Sequence, residues 1–214
     1  MDEDITVINE QTRNEKIKNF FVNNKKFLIS SLIILIFIIV SFYSYKIYKN
    51  ALREKISEKY NSEIIDYKNG ENLNILSAMK EIIEDKDTTY SPLALFFLIE
   101  NDLIDNKEET NRLFDILIDK TRLEKEIKYL IIYKKALFNA DFVNENQLLK
   151  IVNPIINSES IWKSHVLYLV AEYFYSKNEK QKSKEFFTKI LDVKNANQDI
   201  IKKTQKRLKR DLSD

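Results

Sequence analysis

Residues 161–191 read IWKSHVLYLVAEYFYSKNEKQKSKEFFTKIL. Leu167, Val170, Ala171 and Phe174 recur at helical spacing in the first half of this stretch, as do Ser183, Phe187 and Ile190 in the second. Lys177-Asn178-Glu179 separates the two runs, and asparagine tolerates the left-handed backbone that a short turn between helices needs. The stretch therefore reads as a helical hairpin, 161–176 and 179–193, in which large and small side chains interleave. Outward from it the same period predicts helices at about 73–85, 91–105, 108–120, 124–140 and 145–157 upstream and at 198–211 downstream. Ser91-Pro92 supplies a helix start, a capping hydroxyl followed by a proline where no N–H is needed. Pro154 stands inside an apolar run and is expected to kink or shorten its helix near the end.

The first helices of successive pairs begin near 56, 91, 124 and 161, and their partners near 73, 108, 145 and 179. A period of about 35 residues is the spacing of helix-turn-helix repeats, and of the tetratricopeptide repeat, at about 34, in particular. The expected fold class is all-α, with residues 46–214 forming a tetratricopeptide-repeat-like α-solenoid of helical hairpins capped by the charged helix Gln198 to Leu212. The earlier repeats are degenerate: Lys134 falls where a small residue is expected between Tyr133 and Leu137. Composition agrees, since one Gly and two Pro in 214 residues leave little for the turns of a hairpin-rich sheet. It also bounds the chemistry. Gly70 alone cannot build a phosphate loop or a dinucleotide fingerprint. Without cysteine, and with His165 as the single histidine, the chain offers no zinc finger, disulfide, catalytic thiol or two-histidine metal site. No cofactor, metal or small-molecule substrate is expected, and a net charge of +2 gives no sign of a nucleic-acid partner.

Ahead of the repeats, residues 27–45, FLISSLIILIFIIVSFYSY, run without a charge between Lys25-Lys26 and Lys46. As a helix they extend about 28 Å, close to the roughly 30 Å of a bilayer's hydrocarbon core. The run is longer than a signal peptide's apolar region, and the sequence after it is aromatic and basic rather than small. It is therefore expected to be an uncleaved anchor, 27–45, behind an N-terminal tail, 1–26. Phe20, Phe21 and Phe27 on one side, and Phe42, Tyr43, Tyr45 and Tyr48 on the other, would lie in the interfacial aromatic belts. Helical spacing then continues through Leu52, Ile56, Tyr60, Ile64 and Tyr67 to an Asn-Gly-Glu-Asn turn at 69–72. Five basic residues flank the span on each side, Arg13, Lys16, Lys18, Lys25 and Lys26 against Lys46, Lys49, Arg53, Lys55 and Lys59, so charge leaves orientation open.

His165 has no second imidazole or thiol to complete a metal site and reads as a surface or groove histidine. Glu108-Glu109 reads as a solvated helix N-terminus. Residues 46–176 carry 18 basic and 22 acidic side chains and residues 177–214 carry 12 and 6, so the basic excess sits on the capping end. The candidate binding residues form two stripes. Tyr168, Glu172 and Tyr175 follow one another at i, i+4 and i+7, and Ile131, Lys135 and Phe138 repeat that spacing in the preceding pair. Side by side they would line an apolar and aromatic groove for a protein partner, with packing against the next repeat as the competing use of the same face.

Two successions of sequence carry a resemblance. One is NFFVNNKKFLI, the apolar span, YSYKIYKN and the long helix to Tyr67; the other is the hairpin quoted above followed by DIIKKTQKRLKRDL. Together, over roughly residues 10–212, they resemble the YfgM-like ancillary subunits of the SecYEG translocon, which are membrane-anchored tetratricopeptide-repeat-like proteins. Phe20 and Phe21 stand where that family has tryptophans, and its glycine turns are missing. The resemblance implies a single-pass protein of the bacterial inner membrane with a cytoplasmic N-terminus and a periplasmic repeat domain. It further implies a non-enzymatic role in protein export, beside SecYEG and a periplasmic chaperone or prolyl isomerase. The alternative is a membrane-anchored scaffold for another envelope assembly, in division or outer-membrane biogenesis.

Overall fold

The computed structural model describes residues 15–70 and 74–212, and every regular element among them is helical. In chain order these are α1 (15–23), α2 (Lys25–Lys68), α3 (Ile75–Glu84), α4 (Tyr90–Glu100), α5 (Lys107–Asp115), α6 (Lys125–Asn139), α7 (Glu145–Ile156), α8 (Lys163–Ser176), α9 (Lys180–Leu191) and α10 (Gln198–Asp211). Residues 1–14, which include Arg13 of the basic flank, lie outside the described residues, as does part of the expected 69–72 turn.

The chain divides into two compact units, Met1–Lys55 and Ile56–Asp214. In the first, no residue of 27–45 is buried. A helix with an apolar surface all round and no protein cover is not the core helix of a soluble fold. This one is long and apolar enough to cross a bilayer. Sequence reading starts the second unit at residue 46, whereas the compact unit starts ten residues later. Residues 46–55 are all exposed, and Ile56 is the first α2 side chain to be covered.

The second unit is a succession of hairpins. Its principal helix contacts join elements one or two places apart in the chain, α3 on α4, α6 on α7, α8 on α9 and α9 on α10 among them. The end of α2 is the first member: Tyr60 meets Tyr90 at 5.7 Å between ring centroids, Tyr67 meets Phe97 edge-on at 5.2 Å, and Ser57 hydrogen bonds the Tyr90 hydroxyl at 2.6 Å. A register runs through the whole. Leu98, Ile132, Val166 and Ile200, each thirty-four residues after the last, are buried on α4, α6, α8 and α10. Ile82, Leu117, Val152 and Phe187, thirty-five apart, are fully buried on the intervening helices, and Ala78, Leu113, Leu148 and Ser183 repeat that spacing one turn earlier. Three apolar clusters fill the joints in chain order, centred on Leu98 with Leu117, on Ile132 with Val152, and on Phe187 with Ile200. Ala136 is fully buried thirty-four residues before the buried Val170, whereas the same register aligns the buried Ala171 with the exposed Leu137. Lys134 lies outside the joint with its ammonium 5.5 Å from the Phe96 ring.

Local chemistry explains where helices end. The helix expected over 91–105 stops at Glu100 because Asp102 adopts φ 51. Its N–H bonds the Ile99 carbonyl at 3.3 Å and the Leu103 N–H bonds the Leu98 carbonyl at 2.9 Å, the paired closure of a left-handed helix cap. Asn178 behaves as the sequence implied, with φ 64 and the same two closures, to Tyr175 at 3.0 Å and, from Glu179, to Phe174 at 2.9 Å. Ser91 is not the expected cap. Its hydroxyl is buried and donates to the Ile82 carbonyl at 2.6 Å, and the Asp87 carboxylate caps α4 instead, accepting the Thr89 and Tyr90 N–H groups at 2.8 Å each. Pro154 falls in the last turn of α7, which ends at Ile156. After α5 the chain makes one π turn, Ile116–Lys120, and the Thr121 hydroxyl donates to the Ile116 carbonyl at 3.0 Å.

Truncating a residue of the buried register opens a cavity that neighbours only partly close. Leu117→Ala is expected to cost about 2–5 kcal/mol, whereas Ile127→Ala on the surface should stay within about 0.5 kcal/mol. Urea unfolding followed by circular dichroism distinguishes the two.

Candidate functional site

Tyr168, Glu172 and Tyr175 do share a face of α8, and side chains of α9 and α10 cover it. Glu172 accepts two hydrogen bonds from Arg207 of α10, from Nε at 2.8 Å and from Nη2 at 2.7 Å. The same guanidinium pairs with Asp211, lies 4.1 Å from the centroid of Tyr175 and reaches towards the Phe187 ring at 5.9 Å. Tyr168 stands edge-on to Phe187 at 5.4 Å. Burial, then hydrogen bonding to Glu172, pushes its phenol up to about 12. Arg207 was missing from the sequence reading, which counted it among the solvated charges of the capping helix. Its only local signal is the i, i+4 spacing to Asp211.

The α6 stripe looks the other way along the chain. Ile131 is fully buried in the first cluster. Lys135 pairs with Asp115 of α5 at 2.6 Å, and Phe138 packs on Phe114 and Phe142 at 6.0 and 6.3 Å between ring centroids. The observed thirty-four-residue register aligns Tyr168, Glu172 and Tyr175 with Lys134, Phe138 and Asp141, not with Ile131, Lys135 and Phe138. The six residues therefore serve two separate joints rather than one shared groove.

Ile131 and Lys135 also border two open depressions of this unit. Leu93, Ile127 and Ile161, again thirty-four residues apart, are 43, 40 and 57 % exposed. Leu93 and Ile127 flank an apolar groove of about 590 Å³ whose walls include Pro92 and Phe96 of α4 and Leu130 and Ile131 of α6, with Arg122 and Glu124 among its polar residues. A second depression, about 560 Å³, lies among the π turn, α6 and α7 and holds Lys135, Gln147 and Lys150. It also contains Asn111 and Asn139, whose side-chain amides exchange hydrogen bonds at 2.8 and 3.1 Å. His165 belongs to an aromatic cluster: Trp162 stacks on Tyr133 at 5.9 Å, and the imidazole sits 5.2 Å from Trp162 and 5.9 Å from Tyr133. Burial pushes the His165 imidazole down and the Tyr133 phenol up. Glu109, read as part of a solvated terminus, is held by Arg112 at 2.8 Å and Lys80 at 3.1 Å; the Arg112 hydrogen bond leads in lowering its carboxyl to about 2.

Comparison with known protein families, with characterised proteins and with solved structures gives no match.

Two outcomes test this placement. Tyr168→Ala combined with Tyr175→Ala removes the surfaces on which Phe187 and Arg207 rest, and is expected to lower the melting temperature by several degrees. The second concerns acid. Asp211 is lowered to about 2, by Arg210 first and also by Arg207, and Glu109 to about the same value. Unfolded aspartate and glutamate titrate near about 3.9 and 4.3. A folded value below the unfolded one gives stability that is present above about pH 4 and lost as pH falls towards about 2. Melting temperature should accordingly drop through that window, and Asp211→Asn should start lower at neutral pH and show a shallower drop.

Proposed function

We propose that this chain is a non-enzymatic, single-pass accessory protein of the bacterial inner membrane, with its N-terminus cytoplasmic and a tetratricopeptide-repeat-like domain in the periplasm. In this reading it serves protein export, binding the Sec translocon together with a periplasmic chaperone, a prolyl isomerase or an exported chain. Support for the repeat architecture comes from the buried register, in which equivalent residues return every thirty-four or thirty-five positions and helices pack on near neighbours. Stacked repeats of this kind present extended surfaces instead of closed active sites. The link to export rests on the resemblance of the N-terminal succession and the closing hairpin.

The observation that carries a binding role is the row Leu93, Ile127 and Ile161. Core packing repeats in this chain because each joint needs it, but these residues repeat while facing solvent, and two of them flank an apolar groove. A row at repeat spacing suits a polypeptide laid across successive hairpins, touching each through one apolar side chain.

A photo-crosslinking amino acid at Ile127, and separately at Tyr48 beside the span, tests the proposal in cells. Export binding gives adducts with translocon subunits from Tyr48, and with folding factors or exported chains from Ile127. Adducts confined to a division or outer-membrane assembly would replace this reading with the scaffold alternative.

A further inference from the structure

The entry to the apolar span contains a one-residue break in the helix. α1 ends at residue 23, and Asn24 interrupts the helical run before α2 begins. The Phe20 carbonyl accepts both the Asn24 backbone N–H at 3.0 Å and the Asn24 side-chain amide at 2.9 Å. The ladder continues through Asn24, whose own carbonyl accepts the Leu28 N–H at 2.9 Å. A notch of about 440 Å³ lies at this junction, lined by Phe21, Val22, Leu28, Ile29, Leu32 and Lys25. Five of those six side chains are apolar, and none of the described residues fills the space between them.

The surroundings specify what would fill it. Ile17, Phe20, Phe21 and Val22 are each about half exposed or more, an apolar surface next to a helix long enough to cross a bilayer. Residues 15–26 carry Lys16, Lys18, Lys25 and Lys26 against Glu15 alone, a net charge of +3. The notch asks for a hydrocarbon chain and the lysine collar for an anion, and an anionic phospholipid carries both on one molecule. Free phosphate would satisfy the lysines and leave the notch empty. The far end of the span bears a similar aromatic and basic composition, but there α2 runs unbroken through Tyr45, Lys46, Tyr48 and Lys49.

We propose that the junction between α1 and α2 is a binding site for an anionic phospholipid, one acyl chain lying in the notch and the phosphate held by Lys25 and Lys26. Lys16 and Lys18 extend the cationic surface along α1. The site rests on the reading of 27–45 as a membrane span, and its test separates the two claims.

Full-length protein carrying Trp162→Phe, with Phe21→Trp as its only tryptophan, is reconstituted into vesicles containing phosphatidylcholine and phosphatidylglycerol. Either lipid is supplied with brominated acyl chains, which quench tryptophan on contact. A companion with Ile36→Trp reports on the span itself. Phe21→Trp should be quenched more strongly by brominated phosphatidylglycerol than by brominated phosphatidylcholine at equal mole fraction. The apparent preference should be about fivefold or more, as expected for lysines at an anionic surface. Lys25→Gln with Lys26→Gln should bring that preference close to one, while Ile36→Trp should be quenched equally by both lipids. Equal quenching of Phe21→Trp by the two lipids, or a preference that survives loss of both lysines, overturns the lipid site. So does an unquenched Phe21→Trp beside a quenched Ile36→Trp. If neither position is quenched, the membrane span fails and the lipid site with it.

Discussion

Each hairpin in the second unit has more apolar surface than it can bury alone, and this constraint governs the rest of the structure. A helix such as α8, apolar at nearly every position from Val166 to Phe174, needs cover on several sides. α9 covers one side, α7 and α6 another, and α10 the remainder. Burial therefore recurs with the period of the hairpin rather than of the helix, which is why Ile82, Leu117, Val152 and Phe187 are equivalent although they share no local sequence. Packing of this kind must be stopped at its ends. At the C-terminal end α10 supplies the stop: Ile200 turns inward, and Arg207 lays a guanidinium over Tyr175 while its hydrogen bonds neutralise Glu172. The outer side of α10, with Lys202, Lys203, Lys206 and Lys209, belongs to water.

This arrangement decides which side chains remain for other molecules. Aromatic and charged residues at helical spacing on α8 suggest a binding stripe, and in the structure Arg207 and Phe187 rest against that stripe. Half-buried ion pairs such as Arg207 with Glu172 fix geometry more than they add stability, because desolvation offsets much of the attraction. What stays open is set by spacing between joints. α4 and α6 leave an apolar groove where α8 and α9 pack closely, so the free apolar surface lies along the row begun by Leu93 and Ile127.

The helices were legible because their signal is local. Caps, breaks and apolar period placed α5 to α10 within a few residues, and Asn178 was recognised as a left-handed turn from its chemistry alone. Two errors share one cause. The extension of α4 past Glu100 and the role given to Ser91 both followed from reading side chains without their tertiary partners, since Leu103 closes the helix by bonding Leu98 and Ser91 turns inward to a carbonyl of α3. The site was less legible for a related reason. Aligning α6 with α8 on visible stripes gave a shift of thirty-seven residues, whereas burial shows thirty-four, and three residues on a helix are nearly one turn. Arg207 illustrates the limit most sharply: its partner Glu172 is thirty-five residues away, a pairing that no local pattern announces.

The exposed row and the break at Asn24 stand apart from that lesson, because both are places where the sequence departs from what its own fold requires. Solvent-facing positions of a helix tolerate polar residues at no cost to packing, so isolated apolar side chains there carry little meaning. Leu93, Ile127 and Ile161 are not isolated; they recur at a spacing of thirty-four residues on three helical hairpins, where random drift would scatter them. Asn24 is a comparable departure. An unbroken helix from α1 into the span would need only ordinary helix-forming residues, yet an asparagine doubles its bonds to one carbonyl beside a notch between apolar side chains. Local order that folding does not demand is best explained by what it can hold, and in both places the chemistry on offer is apolar contact bordered by charge.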